Sequence, residues 1–209
     1  MLVLPGCASG SSESVTPTAA ATPTGSSATS PTIASPTTTG TVTPPTQKAV
    51  PAEKNPPGDI PDNLAFVPYR NRAGRYRFTH PEGWLEKATG TTVRFTDKLN
   101  GVQVETGSAT AVPTVSSAKT HDIPALSKTQ TAFEERGVSA VTVPAGKGVR
   151  IVYRRNSAPD PVTGRQYRDE VERYEIVAGG REVVVELYGP VGADNVDAYR
   201  TMIESLRLS

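Results

Sequence analysis

Few side chains in this 209-residue chain could do chemistry. It has one cysteine, Cys7, and two histidines, His80 and His121. Nucleophilic catalysis needs a base within hydrogen-bond reach of the nucleophile and a third group that orients the base. His80 lies in His80-Pro81-Glu82-Gly83-Trp84 and His121 just before Asp122-Ile123-Pro124, each beside a turn proline or a helix start. Neither has a second histidine at the H-x-H or H-x-x-x-H spacing that puts two imidazoles on one metal. A two-histidine site would need the fold to bring both to a carboxylate such as Asp122. No G-x-S-x-G elbow presents a serine, and no glycine-rich phosphate cradle precedes a helix. The expectation is no catalytic residue, no metal ligand and no cofactor. The enzyme alternative is a hydrolase using His80 or His121.

Binding has better candidates. Asn156-Ser157-Ala158-Pro159-Asp160-Pro161-Val162-Thr163-Gly164-Arg165 joins two long strands that two to five residues could connect. Its prolines stiffen it and arginines flank it, so Arg155, Pro159, Asp160 and Arg165 are the candidate partner-binding residues. Arg150, Arg154, Arg168 and Arg173 with Glu170, Glu172, Glu182 and Glu186 read instead as cross-strand pairs on a solvated sheet. Trp84, the single tryptophan, reads as a core residue. Net charge is +1 and the signs are evenly mixed, which gives nucleic-acid binding no electrostatic support.

Leu4-Pro5-Gly6-Cys7 followed by Ala8-Ser9-Gly10 resembles a bacterial lipobox, in which a peptidase cuts before the cysteine and the thiol carries a diacylglycerol. Only Met1 to Leu4 precede Pro5-Gly6, so the reading expects residues 1–7 to be the remnant of a longer signal peptide, with a basic and apolar extension encoded upstream. It predicts Cys7 lipidation, a bilayer as partner and a location on the extracytoplasmic face of the cell membrane. Residues 8–58 are rich in Ser, Thr, Pro and Ala and cannot bury enough apolar area to offset their ordering entropy. They are expected to form a disordered tether with a coil span of roughly 40 Å.

Residues 59–209 have the size of one domain, and apart from Glu13, Lys48, Glu53 and Lys54 every charge lies there. Strands are predicted over 64–69, 76–79, 92–96, 101–105, 138–143, 148–155, 167–177 and 182–188. Lys98-Leu99-Asn100-Gly101, with its Asn-Gly step, is expected to turn one hairpin. A helix is predicted over 122–136, with Leu126, Thr129/Gln130 and Phe133 on one face and Gly137 at its end. A second helix from about Asp194 presents Val196, Tyr199, Ile203 and Leu206, with Asp194 as N-cap and Asp197 in the first turn. Val183, Val185 and Leu187 share one strand face and Val149, Ile151 and Tyr153 another. Strand following strand with two helices implies an α+β fold: an antiparallel sheet of about six or more strands, with helices over part of each face.

Tyr76-Arg77-Phe78-Thr79-His80-Pro81-Glu82-Gly83-Trp84 resembles the opening aromatic-x-aromatic-x-x-Pro-x-Gly-Trp segment of PsbP-like domains. Tyr199-Arg200-Thr201-Met202-Ile203-Glu204-Ser205-Leu206-Arg207 resembles their closing helix, with Leu206 where Phe is usual. That family includes photosystem extrinsic subunits, Ran-binding Mog-type proteins and actinobacterial lipoproteins of the LpqN type. The resemblance implies an α/β/α sandwich and transfers no reaction. The resulting expectation is a membrane-anchored lipoprotein with a non-catalytic binding or accessory domain. Its partner would be an unidentified envelope protein or an apolar small ligand, and the alternative is a carrier of lipid.

Overall fold

The computed structural model describes residues 47–54 and 57–209. Cys7 and most of the expected tether lie outside the described residues.

Among the described residues, ten strands form two antiparallel sheets. The first two are β1 (Phe66–Asn71) and β2 (Tyr76–Pro81), which form a hairpin. With the short C-terminal β10 (Arg207–Leu208) they make a three-stranded sheet in the order β1-β2-β10. The large sheet contains β3 (Leu85–Thr89), β4 (Thr92–Asp97), β5 (Asn100–Ser108), β6 (Glu134–Val143), β7 (Gly146–Asn156), β8 (Arg168–Ala178) and β9 (Arg181–Pro190). Its order is β3-β4-β5-β9-β8-β7-β6, so β5 and β9 join two local meanders. Alternation along each strand sends one set of side chains to each face.

One face is dry. Val93, Phe95, Val102, Val104, Ile176, Val183, Val185 and Leu187 pack there against Tyr76 and Phe78 of the small sheet and against α3 (Val196–Ser205). Helix α3 contributes Tyr199, Met202 and Ile203, and Leu206 follows it, all four buried. Trp84 is buried in the same cluster, delivered by the turn in which Gly83 takes φ +82°. The segment from Tyr76 to Trp84 is therefore a packing motif, with Tyr76 and Phe78 pointing inward and Gly83 supplying the left-handed turn.

The opposite face is covered only in part. A helical segment runs through α1 (Val115–Ser117), a π-helical turn (Ala118–Asp122) and α2 (Ile123–Thr129). Ala118 and Leu126 pack there on Val149, Ile151, Tyr153 and Val171. This segment corrects the expected 122–136 helix. It starts earlier because Thr114 and Ser117 form a capping box: Ser117 N–H donates to Thr114 Oγ1 at 3.1 Å, and Thr114 N–H donates to Ser117 Oγ at 2.8 Å. It stops at Thr129 because residues from Glu134 onward pair with β7, and ladder bonds outweigh local helix preference. Gly137 is not a helix terminator; it follows a bulge in β6, where the register slips between Glu135 and Gly137. Phe133 nonetheless packs as expected on this face, 5.4 Å from Tyr153 between ring centroids.

Two further corrections concern asparagines. The β4–β5 hairpin turns at Lys98-Leu99, with Lys98 at φ +50°, and Asn100 pairs with Asp97 inside the ladder. Gly101 is needed for a different reason: a Cβ there would collide with the Tyr188 ring across the strand pair. The N-cap of α3 is Asn195, not Asp194, and its side chain makes no capping bond. Asn195 Oδ1 accepts from Ile60 N–H at 2.8 Å, and its amide donates to Asn100 Oδ1 at 3.0 Å. Asn100 in turn donates to the Gly58 carbonyl at 2.7 Å.

Candidate functional site

Where the helical segment ends, the face of the large sheet over β4, β5, β9 and the start of β8 is left uncovered. A concavity of about 710 Å³ forms there, walled by the end of α2 on one side and the β7–β8 connection on the other. Its floor is polar by register. Arg94 pairs across with Gln103, Gln103 with Glu186 and Glu186 with Arg173, so one row of charged and amide side chains crosses four strands.

Arg155 stands at the centre. Its Nη1–H donates to Gln130 Oε1 at 2.9 Å, and its Cζ lies 5.1 Å from the Tyr188 ring centroid. Asp169 Oδ2 is 3.8 Å from its Nε and Glu186 Oε2 is 3.9 Å from its Nη1, ion pairs too long to be hydrogen bonds. The guanidinium is thus mostly buried yet carries one short bond out of five possible donors. Arg173 is the contrast: its Nε–H donates to Glu175 at 2.6 Å and its Nη1–H to Glu186 at 2.8 Å.

Burial sets the electrostatics. Asp169 is only 3% exposed, and desolvation pushes its carboxyl up to about 7 despite the nearby Arg155. Desolvation likewise raises Glu175 and the Tyr188 phenol. For Arg173 burial alone would lower the pKa, but Glu186 and Glu175 outweigh it and the guanidinium is held firmly charged.

The 156–165 connection is a narrow extension of the β7–β8 hairpin. Ser157 N–H donates to the Tyr167 carbonyl and Asp160 N–H to the Arg165 carbonyl, each at 2.8 Å. Asp160 Oδ1 accepts from Val162 N–H at 3.1 Å and from Thr163 N–H at 2.7 Å, which holds its carboxyl below the usual carboxylate range. Gly164 closes the tip at φ +69°. Asn156 anchors the base: its amide donates to the Lys48 carbonyl at 2.8 Å and its Oδ1 accepts from Val50 N–H at 3.0 Å. Glu53 makes an ion pair with Arg165. Contacts of the folded unit therefore reach back to Gln47, ahead of the boundary expected at residue 59.

All four candidate partner-binding residues, Arg155, Pro159, Asp160 and Arg165, line this one concavity. Arg155 lies on its floor, Pro159 and Arg165 on its exposed wall, and Asp160 spends its carboxylate on the loop's own amides. Asp169, Gln130 and Tyr188 belong to the site as well. Nothing local marks Asp169, because its burial comes from the pairing of β8 with β7 and β9. The expected cross-strand pairs form between Arg154 and Glu170 at 2.9 Å and between Arg150 and Glu172. Arg168 instead crosses to Glu134 at 2.9 Å and to the Ala132 carbonyl at 2.7 Å.

The two histidines are separated by the large sheet. His80 is buried on the dry face, its ring stacked on Phe95 at 3.6 Å with Nδ1 2.9 Å from the Pro81 carbonyl oxygen. Burial lowers its pKa, so the neutral form is favoured. His121 is exposed on the π-helical turn over the other face.

No protein-family model matches the sequence, and no curated protein matches it. Among solved structures, the chain is similar to the Ran-binding protein Mog1p of Saccharomyces cerevisiae. Identity is 8%, coverage is 70% of this chain and 96% of that one, and the TM-score is 0.45. It is also similar to cyanobacterial PsbP from Synechocystis sp. PCC 6803, with 13% identity, coverage of 73% and 98%, and a TM-score of 0.46. A Pseudomonas aeruginosa protein of unknown function aligns at 9% identity over 67% of this chain and 94% of that one, with a TM-score of 0.43.

Proposed function

We propose that the chain is a membrane-anchored extracytoplasmic lipoprotein of the LpqN type, whose folded part is a non-catalytic binding domain. The observation that carries the binding reading is the Arg155 concavity: about 710 Å³, walled by the end of α2 and the β7–β8 connection, with a guanidinium held between Tyr188, Asp169 and Glu186 but not saturated by them. A guanidinium with donors to spare beside an aromatic face suits a polar group of a partner protein, offered as a carboxylate or backbone carbonyl. The placement of the histidines supports a domain without catalysis, since His80 is committed to the stack on Phe95 and His121 faces away across the sheet. The anchor rests on the Leu4-Pro5-Gly6-Cys7 motif.

Cross-linking of the anchored protein in its own cells, followed by mass spectrometry, tests the binding reading. Arg155→Ala should lose the specific cross-linked partner while remaining folded by circular dichroism, at some cost in melting temperature from the lost Gln130 and Tyr188 contacts; an unchanged partner set would refute the site. The anchor is tested separately. In a form carrying the upstream signal, Cys7→Ala should release the protein from membranes, and unchanged membrane association with no lipid mass at Cys7 would refute it.

One observation favours the second reading, a carrier of an apolar ligand. A groove of about 690 Å³ runs between β6 and α3, its apolar lining of Val141, Val143, Pro144, Val196 and Ile203 rimmed by Arg150, Glu172, Arg200 and Glu204. Co-purifying lipid lost on Val196→Asp, an exposed position of the groove, would support it over the adaptor.

A further inference from the structure

The three-stranded sheet gathers arginines that the ladder ought to keep apart. Arg70 of β1 is directly opposite Arg77 of β2, and Arg77 is directly opposite Arg207 of β10. Directly opposed residues share a sheet face, about 5 Å apart, and like charges so placed repel. The same three side chains line one shallow groove of about 480 Å³, with Pro68, Thr79 and Ser205. Arg72 and Arg75 sit in the turn at the end of this hairpin and are exposed, as are Arg70 and Arg77. Among the described residues no carboxylate lies within ion-pair distance of any of the five. Arg207 satisfies one nitrogen internally, donating to the Glu204 carbonyl at 2.7 Å and the Leu206 carbonyl at 2.8 Å. Elsewhere the arginines of this domain do find acids, at Glu134, Glu170, Glu172, Glu175 and Glu186. Arg94 and Arg181 lack an acid too, but each guanidinium donates within the fold, Arg94 to Gln103 Oε1 at 3.0 Å and Arg181 to the Gly74 carbonyl at 3.1 Å; a cluster of arginines without acids forms at this face.

We propose that the outer face of the three-stranded sheet is a phosphate-binding surface whose occupant is the headgroup layer of an anionic bilayer. A guanidinium forks onto a phosphate through two N–H groups, and a row of three at strand spacing presents such forks side by side. The alternatives fit less well. A nucleic acid needs a track of many phosphate contacts, whereas the chain carries a net charge of only +1 and its other described arginines near carboxylates are already paired. An acidic peptide would find only a shallow groove with no deep pocket for its side chains, where a planar headgroup layer can engage the whole row. Each basic residue at an anionic membrane surface adds roughly fivefold in affinity. That is a weak contact alone and a sufficient one for a domain already held near lipid, a point that rests on the proposed Cys7 anchor.

The full chain, produced without lipid on Cys7, is mixed with vesicles of phosphatidylcholine alone or enriched in phosphatidylglycerol, and sedimented. The expected result is binding to the anionic vesicles only, abolished at high salt, where screening shortens to about 3 Å. R70Q/R77Q should lower the partition constant roughly 25-fold at low salt, two charges at fivefold each, and should melt no lower than the parent because a repulsive pair is gone. K119Q/K128Q removes the same charge from the helical segment on the opposite face and should bind like the parent. Equal losses in the two double variants would show a net-charge effect and overturn the proposal. So would binding to neutral vesicles, no binding at all, or tighter retention by a DNA duplex or by polyglutamate than by anionic vesicles. None of these outcomes depends on acylation, which the Cys7→Ala release experiment reads separately.

Discussion

The two faces of the large sheet are built from the same strands and have opposite characters. On one, Phe95, Val102, Val104, Val185 and Leu187 are closed over by α3 and the small sheet, and even His80 is absorbed by stacking on Phe95. On the other, the neighbouring positions of the same strands are polar and find lateral partners: Arg94 bonds Gln103, Glu186 pairs with Arg173, and Tyr188 lies under Arg155. The difference lies in what covers each face. The helical segment reaches Val149, Ile151 and Tyr153 and ends at Thr129, short of β5 and β9. A sheet face without a covering layer must satisfy its polar groups laterally, and a guanidinium left with loose partners becomes available to a ligand.

The contrast predicts a graded set of effects. The largest belongs to the dry face. Phe95→Ala, or Trp84→Ala beside it, should cost about 3–5 kcal/mol by urea unfolding, since a large buried ring leaves a cavity. Glu105→Gln on the open face should stay within about 0.5 kcal/mol. Similar losses at both positions would erase the distinction between the faces.

Next in size is the anchor of the β7–β8 connection. Asn156→Ala strands the Val50 amide and the Lys48 carbonyl and should cost about 1–3 kcal/mol. A chain starting at Gly58 should show part of the same loss. If that truncation melts with the full chain, residues 47–54 do not contribute to folding.

The two faces should also respond to pH with opposite signs. Asp169 has a folded pKa of about 7, above its unfolded value near 3.9, so the folded state binds the extra proton. Its contribution to stability is present below about pH 4 and is lost as pH rises through 7. His80 is shifted down by burial, so its contribution is present above about pH 6.5 and is lost as pH falls. Asp169→Asn should flatten the first trend and His80→Phe the second, in melts from pH 4 to 8. A slope that neither variant changes would place the titration elsewhere.

The smallest stability effect should accompany a clear functional one. Replacing 159–163 with a short glycine-containing turn removes exposed residues and should shift stability by under about 0.5 kcal/mol. It should nevertheless weaken partner capture, because it lowers one wall of the Arg155 concavity. Retained capture would move the contact surface away from the loop.

Much of this arrangement was legible in the residues. Val183, Val185 and Leu187 alternate cleanly, as do Val149, Ile151 and Tyr153, and each set faces a core as its pattern requires. Tyr199, Ile203 and Leu206 recur at helical spacing and are buried. The misreadings fell where a local signal competes with pairing. Glu134 to Arg136 continue a helical pattern yet are held in β6 by β7, and Asn100-Gly101 looks like a turn yet serves a ladder. The exposed strand β3, with Leu85 72% exposed, lacks the alternation that would have revealed it. In the candidate site the loop was visible through its prolines and length. Asp169 and Gln130 were not, because each joins Arg155 only after strands distant in sequence have paired.

By itself the sequence determined the α+β character, the inward residues of most strands and the stiff connection beside Arg155, because periodicity and turn chemistry act over a few neighbouring residues. Only the tertiary structure decided which face is left open, since that depends on where the helical segment stops over a sheet assembled from distant strands. Only the tertiary structure, too, turned evenly mixed charge into segregated charge. Arg70 and Arg77 come from one hairpin, but Arg207 reaches their row through the return of the C-terminus to β2, and no local rule specifies that pairing.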